Sequence, residues 1–224
     1  MDIRFIPQEL TALASLEAGE VDWWHGPSTA TTILDLQEKG FESGVHGVFM
    51  FFIMPDASNP DSPFANKKVR EAVEYAIDRE ALTEALTSGL GDPLYQMAPS
   101  TSSVYDPNFK GRQYDPEKAK QLLTETGYPD GFQTTIAALQ GTERNPTAIQ
   151  NYLAAVGITA KVEAVDMGRL MVMEFGGWKG LLLTIIAPAY PSPNYIPVYL
   201  DYLGPPPTTF AFPGFGRSPE YEAL

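Results

Sequence analysis

The sequence predicts an α/β fold, because segments with the pattern of strands alternate along the chain with segments that have the pattern of helices. The two longest apolar stretches, Val48–Met54 and Leu181–Ala189, have the length of strands buried on both faces. Residues 158–165 place apolar side chains at every second position, which is typical of a half-buried strand. With 44% hydrophobic residues, the chain of 224 residues can bury a substantial core.

Strand and helix patterns also alternate near the N-terminus. The elements predicted there are a strand at Asp2–Phe5, a helix from Pro7 to about Glu17, a strand at Val21–Trp24, a helix at Thr31–Lys39, and a central strand or buried crossover at Val45–Met54. Because short loops join the first three elements, we expect their two strands to form a parallel pair.

The middle of the chain is predicted to be mainly helical. Apolar residues recur at helical spacing in Lys68–Arg79, where Arg70 and Glu74 are also spaced as an ion pair. Asp78 is expected to cap a second helix, which Gly89 ends. Residues 91–110 contain three prolines and are predicted to be a loop.

Clear boundary signals mark the elements after residue 110. In Asp115-Pro116-Glu117 an acidic cap precedes a proline at the first helical position, which is a strong helix start. The elements that follow are a strand at Phe132–Leu139, a helix from Asn145-Pro146, the strand at 158–165, a helix that Asp166 caps and that runs to about Phe175, and a strand at Leu181–Ile186.

The composition argues against several function classes. Asp and Glu number 28 against 15 Lys and Arg, and the net charge of −13 repels both a phosphate backbone and an anionic membrane surface. The absence of cysteine excludes disulfides and thiolate chemistry, and two histidines are too few to indicate a metal site. No apolar run is long enough to span a bilayer. The first residues lack the features of a signal peptide, so the protein either stays in the cell or has lost its original N-terminus.

Three motifs, in order along the chain, resemble the family 5 bacterial extracellular solute-binding proteins. They are LEAGEVD at Leu16–Asp22, KVREAVEYAIDR at Lys68–Arg79, and YDPEKAKQLL at Tyr114–Leu123 followed by GYPDGF at Gly127–Phe132. The resemblance implies a receptor that delivers a small-molecule or peptide ligand to the permease subunits of an ABC importer. It implies no catalysis and no cofactor, and a location in the periplasm or on the cell surface as a lipoprotein. The family includes nickel receptors as well as peptide receptors, but the two histidines give little support for a metal site here.

The same resemblance implies a fragment of the two-lobed periplasmic-binding-protein type II fold, because family members are more than twice as long. Residues 1–55 correspond to the end of the first lobe and the crossover between lobes. Residues 56–213 correspond to the second lobe, and residues 214–224 to the start of the return towards the first lobe. The ligand would be held by closure of the two lobes about their hinge.

The resemblance also points to ligand-binding residues. The interlobe crossover would bring His46, Phe49 and Phe51 beside the cleft, although a plain core strand is the alternative. Peptide receptors of the family place an Asp before a Tyr-Pro-x-Pro sequence to hold the ammonium group of the peptide. Here Ala189 precedes Tyr190, and alanine cannot bind a cation.

Two further positions on the ligand-facing surface of the second lobe depart from the family pattern. Met167 stands where an aromatic residue is expected, and Ile186 stands where a tryptophan is expected. These differences favour a more apolar pocket for a modified peptide, a sugar or another solute, with ordinary packing as the alternative at each position.

Two other functions stay open at this stage. A hydrolase acting on oligosaccharides or peptides would use a pair of the many carboxylates, although no spacing singles out a pair. A scaffold without a ligand would have a closed, filled face near Met167 and Ile186. The tryptophans, Trp178 among them, can stack on sugar rings, but large aromatic residues are more often part of the core.

Overall fold

The computed structural model describes residues 2–25, 29–44, 50–96, 98, 100 and 105–186. The chain divides into two compact units, of which the first is Met1–Val45 with Thr83–Gly91 and the second is His46–Leu82 with Asp92–Leu224.

Polar contacts join the two helices of the N-terminal region. These helices are α1 (Glu9–Glu17) and α2 (Ala30–Glu38). The Thr29 side chain caps α2 by accepting a hydrogen bond from the backbone N–H of Thr32 at 3.3 Å. The hydroxyl of Thr32 donates to the carboxylate of Glu9 at 3.5 Å, and Lys39 forms an ion pair with Glu17.

The strands predicted at Asp2–Phe5 and Val21–Trp24 are wrong, and so is their parallel pairing. Neither segment is a strand, and the side chains of Ile3 and Phe5 are 84% and 91% exposed. A strand is stable only when a neighbour pairs its backbone groups and covers its apolar face. No described segment does this for either one.

The remaining elements of the described chain agree well with their sequence patterns. They are β1 (Met50–Pro55), a 3₁₀ turn (Pro63–Ala65), α3 (Lys67–Ala76), α4 (Arg79–Thr87), α5 (Pro116–Glu125), β2 (Gln133–Leu139), α6 (Arg144–Ala155), β3 (Thr159–Val165), α7 (Met167–Gly176) and β4 (Leu181–Ile186). The last three strands begin and end within one residue of the predicted bounds.

The predicted helix caps are confirmed by hydrogen bonds. Carboxylate oxygens of Asp78 and Asp115 accept from the backbone N–H groups of Ala81 and Lys118, each at 2.9 Å. These bonds satisfy donors that the first turn of a helix leaves unpaired, which is why acidic residues mark these starts.

The predicted ion pair between Arg70 and Glu74 is wrong. The guanidinium of Arg70 donates to the backbone carbonyls of Phe64 and Ala65, at 2.7 and 3.0 Å. Glu74 instead accepts from Arg112 at 3.1 Å. The carbonyls of the preceding 3₁₀ turn offer Arg70 acceptors that helical spacing alone does not reveal.

The four strands form one sheet in the order β1-β4-β2-β3. β2 runs parallel to both β3 and β4, whereas β1 runs antiparallel to β4. From β2 the chain passes through α6 to β3 on one side, and it then returns through α7 to β4 on the other side of β2. Because such crossovers are right-handed, these two opposite steps place α6 and α7 on opposite faces of the sheet.

Two separate hydrophobic clusters confirm this three-layer arrangement. On one face, α3, α5 and α6 pack against strand residues that include Ile136 and Leu183. On the other face, α7 packs against Ala137 and Leu182. Neighbouring strand residues thus contribute to opposite clusters, which explains why β4 has an almost wholly apolar sequence.

Two glycines allow close contact between the loops that lead into β2 and β3. A Cβ atom on Gly131 would lie 1.9 Å from the carbonyl oxygen of Gly157, and Gly131 has a φ of +75°. Any larger residue at Gly131 would therefore meet backbone atoms as well as an unfavourable backbone conformation.

We predict that Gly131→Ala destabilises the protein by at least about 2 kcal/mol more than Gly127→Ala, because overpacking adds to the cost of the backbone conformation. Gly127 is a matched control, since its φ is +91° but nothing lies within 4 Å of an added Cβ. Urea unfolding of both variants measures the difference. Equal losses of stability would show that the close contact has no energetic importance.

Candidate functional site

The ends of four strands meet at one edge of the sheet, called here the carboxyl edge. Leu139, Val165 and Ile186 are the last residues of the three parallel strands. Met50, the first residue of antiparallel β1, is paired with Ile186. In open α/β sheets, ligands bind in the crevice outside the carboxyl ends of the strands, where the strand order reverses. Here that reversal lies between β4 and β2.

Three of the seven predicted ligand-binding residues lie at this edge. Phe51 is the second residue of β1 and is partly exposed, and Ile186 is the last residue of β4. Met167 begins α7 two residues after the end of β3. The other four residues, His46, Phe49, Ala189 and Tyr190, lie outside the described residues.

One side of α7 presents apolar side chains to solvent. Met167 is 55% exposed, and Met171, Val172 and Phe175 are also exposed large hydrophobic residues. We call these four residues the α7 apolar face. The face near Met167 is therefore not the filled face that a scaffold would have. An exposed apolar face of this kind marks an interaction or ligand site more often than ordinary surface.

The sequence reasoning identified Met167 but missed Met171 and Val172. The signal was available, because Met171 and Phe175 follow Met167 at intervals of four residues. The residues that α7 buries, Leu170 and Met173, lie on the opposite side of the helix. Sequence alone did not show which of the two apolar sides faces the sheet.

Asp166 fixes the start of α7 at the carboxyl edge. Its carboxylate accepts a hydrogen bond from the backbone N–H of Arg169 at 2.8 Å, which confirms the predicted cap. The cap orders the first turn of the helix and with it the position of Met167.

A buried carboxyl group under α7 was not anticipated. Glu174 is only 9% exposed, and its carboxyl group accepts a hydrogen bond from the hydroxyl of Thr184 in β4. Burial raises the pKa of Glu174, and the hydrogen bond from Thr184 opposes part of that rise. The sequence gives no signal for this group, because it does not show which arc of α7 faces the sheet.

The two buried carboxyl groups of the described chain do not form a catalytic pair. Asp56 follows the end of β1 at the opposite edge of the sheet, where its N–H donates to the carbonyl of Gly180 at 3.0 Å. The hydroxyl of Ser62 donates to the Asp56 carboxylate, just as that of Thr184 donates to Glu174. Both carboxyl groups therefore have structural partners within the fold.

A cavity of about 340 Å³ lies within the second unit, and neither Phe51 nor Met167 lines it. Several polar groups around it already have partners in the loop itself. The side-chain amide of Gln96 exchanges two hydrogen bonds with the backbone of Asp106, at 2.8 and 3.1 Å, and Ser100 donates to Asp92 at 3.1 Å. These bonds indicate that the cavity is a product of loop packing.

Several simpler sites find no support in the described part of the chain. Trp178 is a core residue, since its side chain is buried and its Nε1–H donates to the carbonyl of Met54 at 3.0 Å. Among the described residues no three His, Asp or Glu side chains are grouped to hold a metal ion. No helix among them has the length and apolar character needed to span a membrane.

Comparison with known families decides the identity of this fold. The family model for bacterial extracellular solute-binding proteins, family 5 Middle, matches residues 1–202. The chain belongs to this family. The resemblance drawn from the three sequence motifs is therefore confirmed.

Family members with assigned ligands include close relatives of this chain. The glutathione-binding protein GsiB of Escherichia coli K12 is 43% identical over 173 residues, which cover 74% of this chain and 33% of that protein. GsiB of Salmonella typhi is 42% identical over 113 residues, which cover 48% of this chain and 21% of that protein. The chain thus spans about a third or less of the length of these binding proteins.

Solved structures confirm the predicted fold class. HbpA2 from Haemophilus parasuis superposes with a TM-score of 0.76 at 24% identity, over 97% of this chain and 44% of that one. The periplasmic binding protein DppA from Helicobacter pylori, in complex with the peptide STSA, gives a TM-score of 0.71 at 25% identity, over 86% of this chain and 38% of that one.

We predict that Asp166→Ala lowers the free energy of unfolding by about 1 kcal/mol, because the first turn of α7 loses its cap. Asp166→Asn is the matched control, since asparagine caps helices about as well as aspartate. Urea unfolding gives the stability, and hydrogen exchange at the Arg169 amide reports the cap itself. Protection at Arg169 that is the same in both variants would contradict this role for Asp166.

Proposed function

We propose that the protein is the substrate-binding component of an ABC importer, which captures a short peptide and delivers it to membrane permease subunits. The observation that carries the proposal is the α7 apolar face at the carboxyl edge of the sheet, beside the reversal of strand order. In this proposal the protein acts outside the cytoplasm, in the periplasm or as a surface lipoprotein, and binds its ligand without transforming it.

Glutathione is the ligand that we propose to test first. The relatives with the highest identity given above are named for binding it. Glutathione is a tripeptide whose first peptide bond runs through a side-chain carboxyl group, so its ammonium group is placed differently from that of an ordinary peptide. This placement fits a sequence in which Ala189, and not an aspartate, precedes Tyr190.

The described residues suggest how such a ligand would be held. The methionines of the α7 apolar face are flexible and polarisable, and they adapt to irregular shapes and to sulfur-containing groups. We propose that Met167 and Met171 contact the body of the ligand, and that Phe51 and Ile186 lie next to them along the edge. His46, Phe49, Ala189 and Tyr190 stay part of this proposal as flanking residues.

Closure of two lobes supplies the rest of the site in this proposal. Residues 1–55 would belong to the first lobe and the crossover, residues 56–213 to the second lobe, and residues 214–224 to the return. Because the chain spans only 33% of the length of E. coli GsiB, the proposed ligand is enclosed only when the remaining length of such a relative is present. An open wall buries too little of a small ligand to bind it tightly.

We predict that a chimera of E. coli GsiB, in which this chain replaces the matching segment, binds glutathione at least tenfold more tightly than the isolated chain does. Isothermal titration calorimetry of both proteins with glutathione measures the ratio. Equal affinities of the chimera and the isolated chain would contradict enclosure by two lobes. A folded chimera that does not bind glutathione would contradict the choice of ligand.

We predict that Met167→Ser in the same chimera weakens glutathione binding about tenfold, because a partly buried methionine contributes about 1.4 kcal/mol. Leu10→Ser is the control, since Leu10 is also an exposed large hydrophobic residue but lies in α1. An equal effect of the two substitutions on affinity would show that Met167 does not contact the ligand.

A further inference from the structure

Glu174 occupies a position where an apolar side chain would be expected. It is buried together with Leu170 and Met173. Because it follows Met167 by seven residues, it lies at the border between the buried arc and the α7 apolar face. Burial of a carboxyl group costs free energy that a well-packed hydrophobic residue of similar size would not cost. An acid at this position therefore needs a physical explanation.

The hydrogen bond to Glu174 joins α7 directly to the strand that ends at the carboxyl edge. Its donor, Thr184, is two residues from the end of β4 and is paired across the sheet with Phe52 of β1. Asp166 anchors the first turn of the same helix. A cap at the first turn and a side-chain bond near the last turn together set the position of α7 on the sheet.

The strand that holds Glu174, and the strands on either side of it, supply no counter-charge. The sequences of β1, β2 and β4 are MFFIMP, QTTIAAL and LLLTII, and none of them contains an ionisable residue. β3, whose Val165 packs against the same cluster as α7, carries Lys161 and Glu163, which pair with each other at 3.7 Å. The charged residues on α7 and beside its ends are Asp166, Arg169 and Lys179. Burial is the main cause of the raised pKa of Glu174, and the Thr184 bond opposes it.

We propose that Glu174 and Thr184 form a proton-sensitive latch that positions α7, and with it the α7 apolar face, on the sheet. The ligand-facing role of that face rests on the proposed function, whereas the latch is a property of α7 and β4 alone. The protonated carboxyl group is neutral and stays buried against Thr184. Ionisation adds a cost of burial that exceeds what the Thr184 bond recovers, so it favours hydration of the carboxylate and loosens the helix.

The raised pKa of Glu174 fixes the direction of the effect. Below the ordinary pKa of an unfolded glutamate, Glu174 is protonated in both the folded and the unfolded chain. The contribution of protonated Glu174 to the free energy of unfolding is then at its full value. As the pH rises from that value to the raised pKa of the folded protein, the unfolded chain ionises first and stability falls. Above the raised pKa the loss is complete and the latch is open.

Hydrogen exchange from pH 4 to pH 8 tests the latch in the chain itself, without any ligand. The exchange rates of the α7 amides are corrected for the intrinsic effect of pH and divided by those of the β2 amides. We expect this ratio to rise at least threefold as Glu174 ionises. Glu174→Gln, which keeps the shape of the side chain and cannot ionise, is expected to abolish the rise. A flat profile for the unaltered chain, or an unchanged rise in Glu174→Gln, would overturn the proposal.

Substitutions at Thr184 test whether its hydrogen bond to Glu174 matters or whether the Thr184 side chain only fills space. The Thr184 bond opposes the rise in the pKa of Glu174, so Thr184→Val is expected to move the midpoint of the exchange profile to higher pH. Thr184→Ser retains the hydroxyl and is expected to restore the original midpoint. Equal midpoints in the valine and serine variants would contradict a role for this bond.

The same variants in the GsiB chimera connect the latch to ligand capture. Glutathione affinity is expected to fall with rising pH in the unaltered chimera and to change less in the Glu174→Gln chimera. A chimera that shows the exchange profile without binding glutathione would overturn the proposed function and leave the latch in place. If both chimeras bind glutathione with the same pH dependence, the latch has no role in ligand capture.

Discussion

The reversal of strand order beside β2 determines where the helices, the core and the proposed site lie. Right-handed crossovers on either side of β2 place α6 and α7 on opposite faces, so the central strands must be apolar on both. In open α/β sheets such a reversal is where ligands bind, and here it lies at the carboxyl ends of β2 and β4, the edge where α7 begins. The topology that buries the core therefore also positions the proposed site.

Much of this fold follows from local sequence signals. The apolar run of β4, the alternation in β3, and the acidic caps Asp115 and Asp166 predicted their elements nearly to the residue. The segment at Asp2–Phe5 has a strand-like sequence, yet the described chain contains no neighbour to pair with it. Whether a segment becomes a strand depends on its partners, which local propensity does not reveal.

The candidate site was predicted only in part. Sequence motifs located Met167, Phe51 and Ile186, and the fold brings these positions to one edge. Met171 and Glu174 were missed, because helical spacing shows that two arcs of α7 differ without showing which arc meets the sheet. The glutamate in the buried arc becomes informative only after the crossover has placed α7 above β4.

We propose that a peptide ligand is held at the carboxyl edge of this sheet, against the α7 apolar face. A crystal structure of the GsiB chimera with bound glutathione would show the ligand in place. We expect ligand atoms within about 4 Å of the Met167 and Met171 side chains, the distance of van der Waals contact. Glutathione bound only in the cavity lined by Leu94, Tyr95 and Tyr105, with the α7 apolar face still exposed to solvent, would rule this site out.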